Sequence, residues 1–128
     1  MRISFDFDGT LWDEFDRTPN KQKEEIIKLC KKYIMMLHDV YIITKRWGPQ
    51  YKNEGLKNEH LIVYQVAEMI GIPKEKVIFT NRIWKADKIK EMNIDLHFEN
   101  SEMEVKQIEE LGVKVVPVED PYWRDLVY

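Results

Sequence analysis

Short apolar runs alternate along the chain with amphipathic stretches of helical period. Ile3 to Phe7 is apolar and β-rich and stops at Asp8-Gly9-Thr10, which predicts a buried strand running into a turn. Thr18-Pro19 opens a helix. In it Ile26, Ile27, Cys30, Tyr33, Ile34 and Leu37 recur three and four residues apart, so one face packs on a sheet. Val40 to Ile43 is a second strand, too short and too uniformly apolar for a surface helix. From Trp47 to Glu59 the sequence turns polar and predicts a long loop, a length that in compact domains often marks function. Ile62, Val66, Met69 and Ile70 form the next helical stripe, closed by Gly71 with Pro73 beyond it. Val77 to Phe79 gives a third strand, Lys85 to Met92 a short helix, and Ile94 to Phe98 a fourth strand. Ser101 with Glu104 three residues on has the pattern of a capping box for a helix that ends at Gly112. Val113 to Val118 is the last strand.

Five short strands alternating with helices predict an α/β fold: a Rossmann-like, doubly wound, mainly parallel sheet with helices on both faces and right-handed crossovers. One domain over residues 1–128 accounts for every element, without repeats or low-complexity tracts.

Composition narrows the partners. Charged residues make up 34% of the chain but nearly cancel to a net charge of -3, so neither a broad nucleic-acid footprint nor a polybasic membrane anchor is present. Cys30 is the only cysteine, which excludes an intrachain disulfide and suits a reducing cytoplasm. No stretch approaches the roughly 20 apolar residues of a membrane span. A cytoplasmic protein is expected, with an oligomeric state that the sequence leaves open.

In an open parallel sheet, ligands bind beyond the carboxyl ends of the strands, where the strand order reverses. Asp6 and Asp8, Thr44, the segment from Thr80 to Lys88, and Glu99-Asn100 all fall at such ends. Two aspartates at i and i+2 on an extended chain point to one side, and burying both is costly unless a cation or proton intervenes. Mg²⁺ answers this, being a hard ion that takes carboxylate and carbonyl oxygens and bridges to phosphate. Beside it Asp6 fits a nucleophile that forms an acyl-phosphate, and Asp8 an acid and base. Gly9 permits a tight turn that brings backbone N–H groups towards phosphoryl oxygens, and Thr10 adds a hydroxyl donor.

The string DFDGTL from Asp6 to Leu11 resembles the first motif of the haloacid dehalogenase-like phosphohydrolases. The resemblance implies a Rossmann-like fold in which the first aspartate attacks phosphorus, the second protonates the leaving group and activates water, and Mg²⁺ bridges enzyme and substrate. VYIITK from Val40 to Lys45 resembles the second motif, which implies a hydrogen bond from Thr44 to a phosphoryl oxygen. The third motif is a lysine at a helix start, with Lys85 the first choice and Lys88 the second. The fourth, usually a pair of aspartates, reads Glu99-Asn100 here. The resemblance thus implies a metal set of Asp6, Asp8 through its backbone carbonyl, Glu99 and Asn100. Neither the stretch from Trp12 to Thr18 nor that from Trp47 to Glu59 has room for a cap domain, which leaves an open site compatible with large phosphorylated substrates.

Lys45, Arg46 and Lys52, interleaved with Trp47 and Tyr51, read as a surface loop or as a site for a second phosphate and a stacked base. The expected function is a Mg²⁺-dependent phosphatase acting on a phosphomonoester, either a nucleotide or nucleic-acid end or a small metabolite. The alternative is a metal- or phosphate-binding module with weakened catalysis, suggested by Glu99-Asn100. Asp95 sits too early in its strand to join the site, His38 and His97 read as structural, and Asp13, Glu14 and Asp16 as loop surface. The aromatic tail from Pro121 to Tyr128 is expected to pack on the domain or on another subunit.

Overall fold

The computed structural model describes residues 1–13, 21–51 and 58–128. The Thr18-Pro19 helix start, Glu14, Asp16 and Lys52 lie outside the described residues. Five parallel strands form one sheet: β1 (Arg2–Phe5), β2 (Asp39–Thr44), β3 (Val77–Phe79), β4 (Leu96–Glu99) and β5 (Lys114–Pro117). Their order is β3-β2-β1-β4-β5, so β1 is central and the order reverses between β1 and β4. Register pairs Phe5 with Ile42 on one side and with Phe98 on the other. Pro117, which lacks an N–H, is tolerated because β5 is an edge strand.

The strand alternation sorts side chains to two faces. Ile3, Phe5, Val40, Ile42, Phe98 and Val116 join the larger core, with Ile26, Leu29 and Cys30 of α1 (Lys21–Met35) and Val63, Val66 and Ala67 of α2 (His60–Ile70). Ile43 and Val115 face the other way, into a smaller core with Ile89 of α3 (Ala86–Glu91) and Val105 and Ile108 of α4 (Glu102–Glu110). The second core is smaller because β1 and β4 turn Ser4, His97 and Glu99, all fully buried, towards that side.

Helix α2 stops as its sequence requires. Gly71 takes φ 106°, in the left-handed region, and donates its N–H to the Ala67 carbonyl. Of the aromatic tail, Trp123 is buried in the larger core, while Tyr122 and Tyr128 are exposed. Among the described residues no further sheet or helical insert lies between β1 and α1 or between β2 and α2, so the strand ends carry no cap. No helix among them is long and apolar enough to cross a membrane.

Candidate active site

Asp6 continues the alternation of β1 towards the smaller core, and its N–H bonds the Phe98 carbonyl at 2.9 Å, extending the β1–β4 pairing by one residue. The residue is 3% exposed. Lys85, just before α3, reaches it: Lys85 Nζ donates to Asp6 Oδ1 at 2.7 Å, to Glu99 Oε1 at 2.9 Å and to Glu104 Oε2 at 2.7 Å. All three ammonium hydrogens are thereby engaged. Lys88, the other candidate, lies on the surface and pairs with Glu91.

Three buried carboxylates face one ammonium, and the excess charge has consequences. Burial, reinforced by Glu99, pushes the Asp6 carboxyl up to about 7 against the pull of Lys85. Burial also raises Glu99, again against Lys85. Burial alone would lower Lys85, yet Asp6, Glu99 and Glu104 together hold it well above the ordinary lysine range.

Glu104 is the site residue that the sequence pattern assigned elsewhere. The capping box does not form: Ser101 starts α4 without a side-chain cap bond. Glu104 instead accepts the Lys85 backbone N–H at 3.0 Å and its ammonium, because a buried cation is a stronger partner than an exposed helix start. The Ser101 N–H bonds Glu99 Oε2 at 3.2 Å, as does that of Asn100.

The two aspartates of the first motif part company. Strand β1 ends at Phe5, and the chain turns at Asp8 and Gly9, so the expected same-side burial does not occur. Asp8 has a side chain 45% exposed and pairs in a fork with Arg46, whose Nη2 meets Oδ1 at 2.7 Å and whose Nε meets Oδ2 at 2.9 Å. Arg46 itself is buried, lies 5.2 Å from the Phe7 ring centre and donates to the Glu59 carbonyl.

Gly9 takes φ 82°, as the turn requires, and its missing Cβ leaves room for the Asn100 amide. Asn100 therefore lies directly against the first-motif turn. The N–H groups of Gly9 and Thr10 are not aimed outwards as expected. They close the turn on the Trp12 and Phe7 carbonyls, because a turn this tight uses its own donors. The Thr10 hydroxyl donates to Asp6 Oδ2 at 3.1 Å.

Thr44 is buried at the end of β2, where its Oγ1 accepts the Arg46 N–H at 3.3 Å. The loops after β2 and β3 are tied together. Thr80 and Arg82 donate their N–H groups to the Thr44 and Lys45 carbonyls, the Asn81 side chain accepts from Gly48, and Glu59 accepts from Trp47 N–H and from Arg82. Lys45 Nζ lies 4.0 Å over the Trp84 ring, and Trp47 tilts against Tyr51. Asp95 caps the opposite edge by accepting the Arg2 N–H.

The donor set for a metal is dispersed. Among the described residues no three His, Cys, Asp or Glu side chains form a ready-made cage. Glu99 has its four acceptor positions filled, by Lys85 and His97 on Oε1 and by two backbone N–H groups on Oε2. A direct bond from Glu99 to a metal would displace one of them. Comparison with known proteins adds no family: no protein-family model and no curated protein matches the chain.

Proposed function

We propose that the chain is a Mg²⁺-dependent phosphohydrolase of haloacid dehalogenase-like type, working on a phosphomonoester through an aspartyl-phosphate at Asp6. The observation that carries this reading is the Lys85 ammonium bonded to Asp6 at the point where the strand order reverses. A buried carboxylate fixed by a cation and a Thr10 hydroxyl is an oriented nucleophile.

In the first step an Asp6 oxygen attacks phosphorus, the ester P–O bond breaks, and Asp8 gives a proton to the departing oxygen. Water then attacks the phosphorus, passes its proton to Asp8, and the bond to Asp6 breaks to release inorganic phosphate. Thr44 and Lys85 hold the phosphoryl group, Lys85 exchanging one of its three carboxylate contacts for a phosphoryl oxygen. An arriving phosphate competes with Asp8 for the Arg46 fork, which frees the Asp8 carboxyl for proton transfer.

The residues fit Mg²⁺ by chemistry: the site is rich in hard oxygens and carries two more carboxylates than ammonium groups, and Mg²⁺ needs only one or two carboxylates besides water and phosphate. Asp6, the Asp8 backbone carbonyl and the Asn100 side-chain carbonyl would hold it, with Glu99 contributing charge. When bound, the ion supplies positive charge beside the phosphoryl oxygens. The cations and aromatic rings of Lys45, Trp47, Tyr51 and Trp84 favour a nucleotide or nucleic-acid end over a small metabolite. The lone buried Cys30 suits a reducing cytoplasm.

Hydrolysis of an aryl phosphate and of a panel of nucleotides and 3′- or 5′-phosphorylated oligonucleotides, with and without Mg²⁺, tests the proposal. Metal-dependent turnover, with a hydroxylamine-sensitive phosphoenzyme, is expected in the wild type and absent in Asp6→Asn. Phosphate binding without turnover on any of these substrates would instead point to a binding module.

A further inference from the structure

We infer that His97 is a positioning residue, which with Ser4 behind it locks Glu99 as the fixed counter-charge of Lys85 and so sets the ammonium against Asp6. The inference rests on the proposed roles of Asp6 and Lys85, and it concerns a layer that no substrate reaches.

Ser4 and His97 are register partners on the adjacent strands β1 and β4, so their side chains stand next to one another on the α3/α4 face. Ser4 Oγ lies 2.6 Å from His97 Nδ1, and His97 Nε2 lies 2.9 Å from Glu99 Oε1. Glu99 is two residues beyond His97 in the same strand and so shares its face. The chain of contacts runs Ser4, His97, Glu99, Lys85, Asp6.

A serine, a histidine and a glutamate in this order suggest nucleophilic catalysis, but all three are fully buried, with no exposed surface on any of them. Ser4 has no access to a substrate. The contacts lead instead upwards to Lys85 Nζ.

What the arrangement does is orient. The Ser4 hydroxyl facing Nδ1 fixes the rotation of the ring and leaves Nε2–H to donate to Glu99, the form in which an outer-layer histidine partner orients a carboxylate. With the two N–H groups of Asn100 and Ser101 on Oε2, Glu99 cannot turn without losing a bond. A glutamate has three rotatable bonds, and only a partner on each oxygen keeps its carboxylate in one place. Without His97, Lys85 retains a mobile counter-charge and loses its fixed distance to the nucleophile.

His97→Leu removes the contact at similar bulk, His97→Gln keeps an N–H able to reach Glu99, and Ser4→Ala removes only the support behind the ring. Two measurements are made on each: kcat and KM for the best phosphate ester, and the ¹⁵N resonance of the Lys85 ammonium, which burial and three partners keep from rapid exchange. Thermal unfolding serves as the check on folding. The expected result is a fall in kcat of about 10–100-fold in His97→Leu with KM held within about twofold, recovery in His97→Gln, and a smaller loss in Ser4→Ala. The Lys85 signal should be retained in His97→Gln and broaden or exchange faster in His97→Leu.

A wild-type kcat and an unchanged Lys85 signal in His97→Leu would overturn the inference. So would a His97→Gln as impaired as His97→Leu with the same loss of stability, which would make the contact structural only. If the wild type hydrolyses nothing, the proposed function fails, while the Lys85 signal still decides whether His97 sets the ammonium.

Discussion

Two clusters of paired charges flank the end of β1 and are built on different principles. Beneath the surface, Lys85 alone serves Asp6, Glu99 and Glu104, and every member is at most 4% exposed. At the rim, among the described residues, Arg46 forks onto Asp8 alone of the carboxylates, and that carboxylate is half open to water. A buried cluster with surplus negative charge stores electrostatic tension that a proton, a cation or a phosphoryl transfer relieves, whereas a balanced rim pair stores little and opens readily. The first arrangement suits a group that must be held and activated. The second suits one that must let go of a partner to exchange protons.

Lys85→Met breaks the comparison most severely. Three carboxylates are then left without their cation, and a loss of about 3–5 kcal/mol of stability is expected in denaturant unfolding, together with all hydrolysis. Arg46→Met leaves Asp8 in reach of water and should cost about 1–2 kcal/mol. Equal losses in the two variants would show that the distinction between floor and rim is not energetic.

Gly9→Ala strikes the rim without touching a charge. The position lies at φ 82° and a Cβ would run into the Asn100 amide, so about 1–2 kcal/mol of backbone strain is expected, along with displacement of Asn100. A chemical-shift change at the Asn100 side-chain amide, with the Lys85 ammonium signal unmoved, is the predicted signature. Movement of both would mean that rim and floor are one unit.

Asp6→Asn sharpens the contrast through pH. Because the folded protein raises the Asp6 carboxyl to about 7 from 3.8, it holds that proton more tightly than the unfolded chain does. The contribution is therefore full below about pH 4 and is lost as pH climbs through about 7. Metal-free Asp6→Asn should show a flatter fall in Tm between pH 4 and pH 8, roughly, and a Tm higher than wild type at the upper end by about 3–5 °C per kcal/mol recovered.

How far the sequence disclosed this arrangement follows from the range of each interaction. The five strands and the helix stripes are local patterns of period 2 and 3.6, and they are found with Gly71 ending α2 where expected, except that Leu37 lies past the end of α1 and both it and Met69 are exposed. The helix start ranked Lys85 ahead of Lys88 but left both open, and only the packing of Lys85 beside Asp6 separates them. Glu104 was misread because Ser-x-x-Glu is a local signal, while its actual partner stands 19 residues away and is known only once α3 and α4 pack together. His97 read only as structural. Its partner Ser4 is 93 residues distant, and only the β1–β4 register joins them. Asp8 departed from the i, i+2 expectation because alternation holds only while the chain stays extended, and here the strand has already ended.

The central place of β1 carries a consequence for the order in which the molecule is made. Of the five strands β1 leaves the ribosome first, yet one of its edges waits for β2 and the other for β4, more than 90 residues later. Until β4 arrives, Ile3 and Phe5 have one open flank, and Asp6 has neither Glu99 nor Glu104 nearby. Pairings of such long sequence separation form slowly and leave strand edges exposed to wrong partners in the interval. Asp6, the proposed nucleophile, is thus among the first residues synthesised of those described and among the last to receive its surroundings.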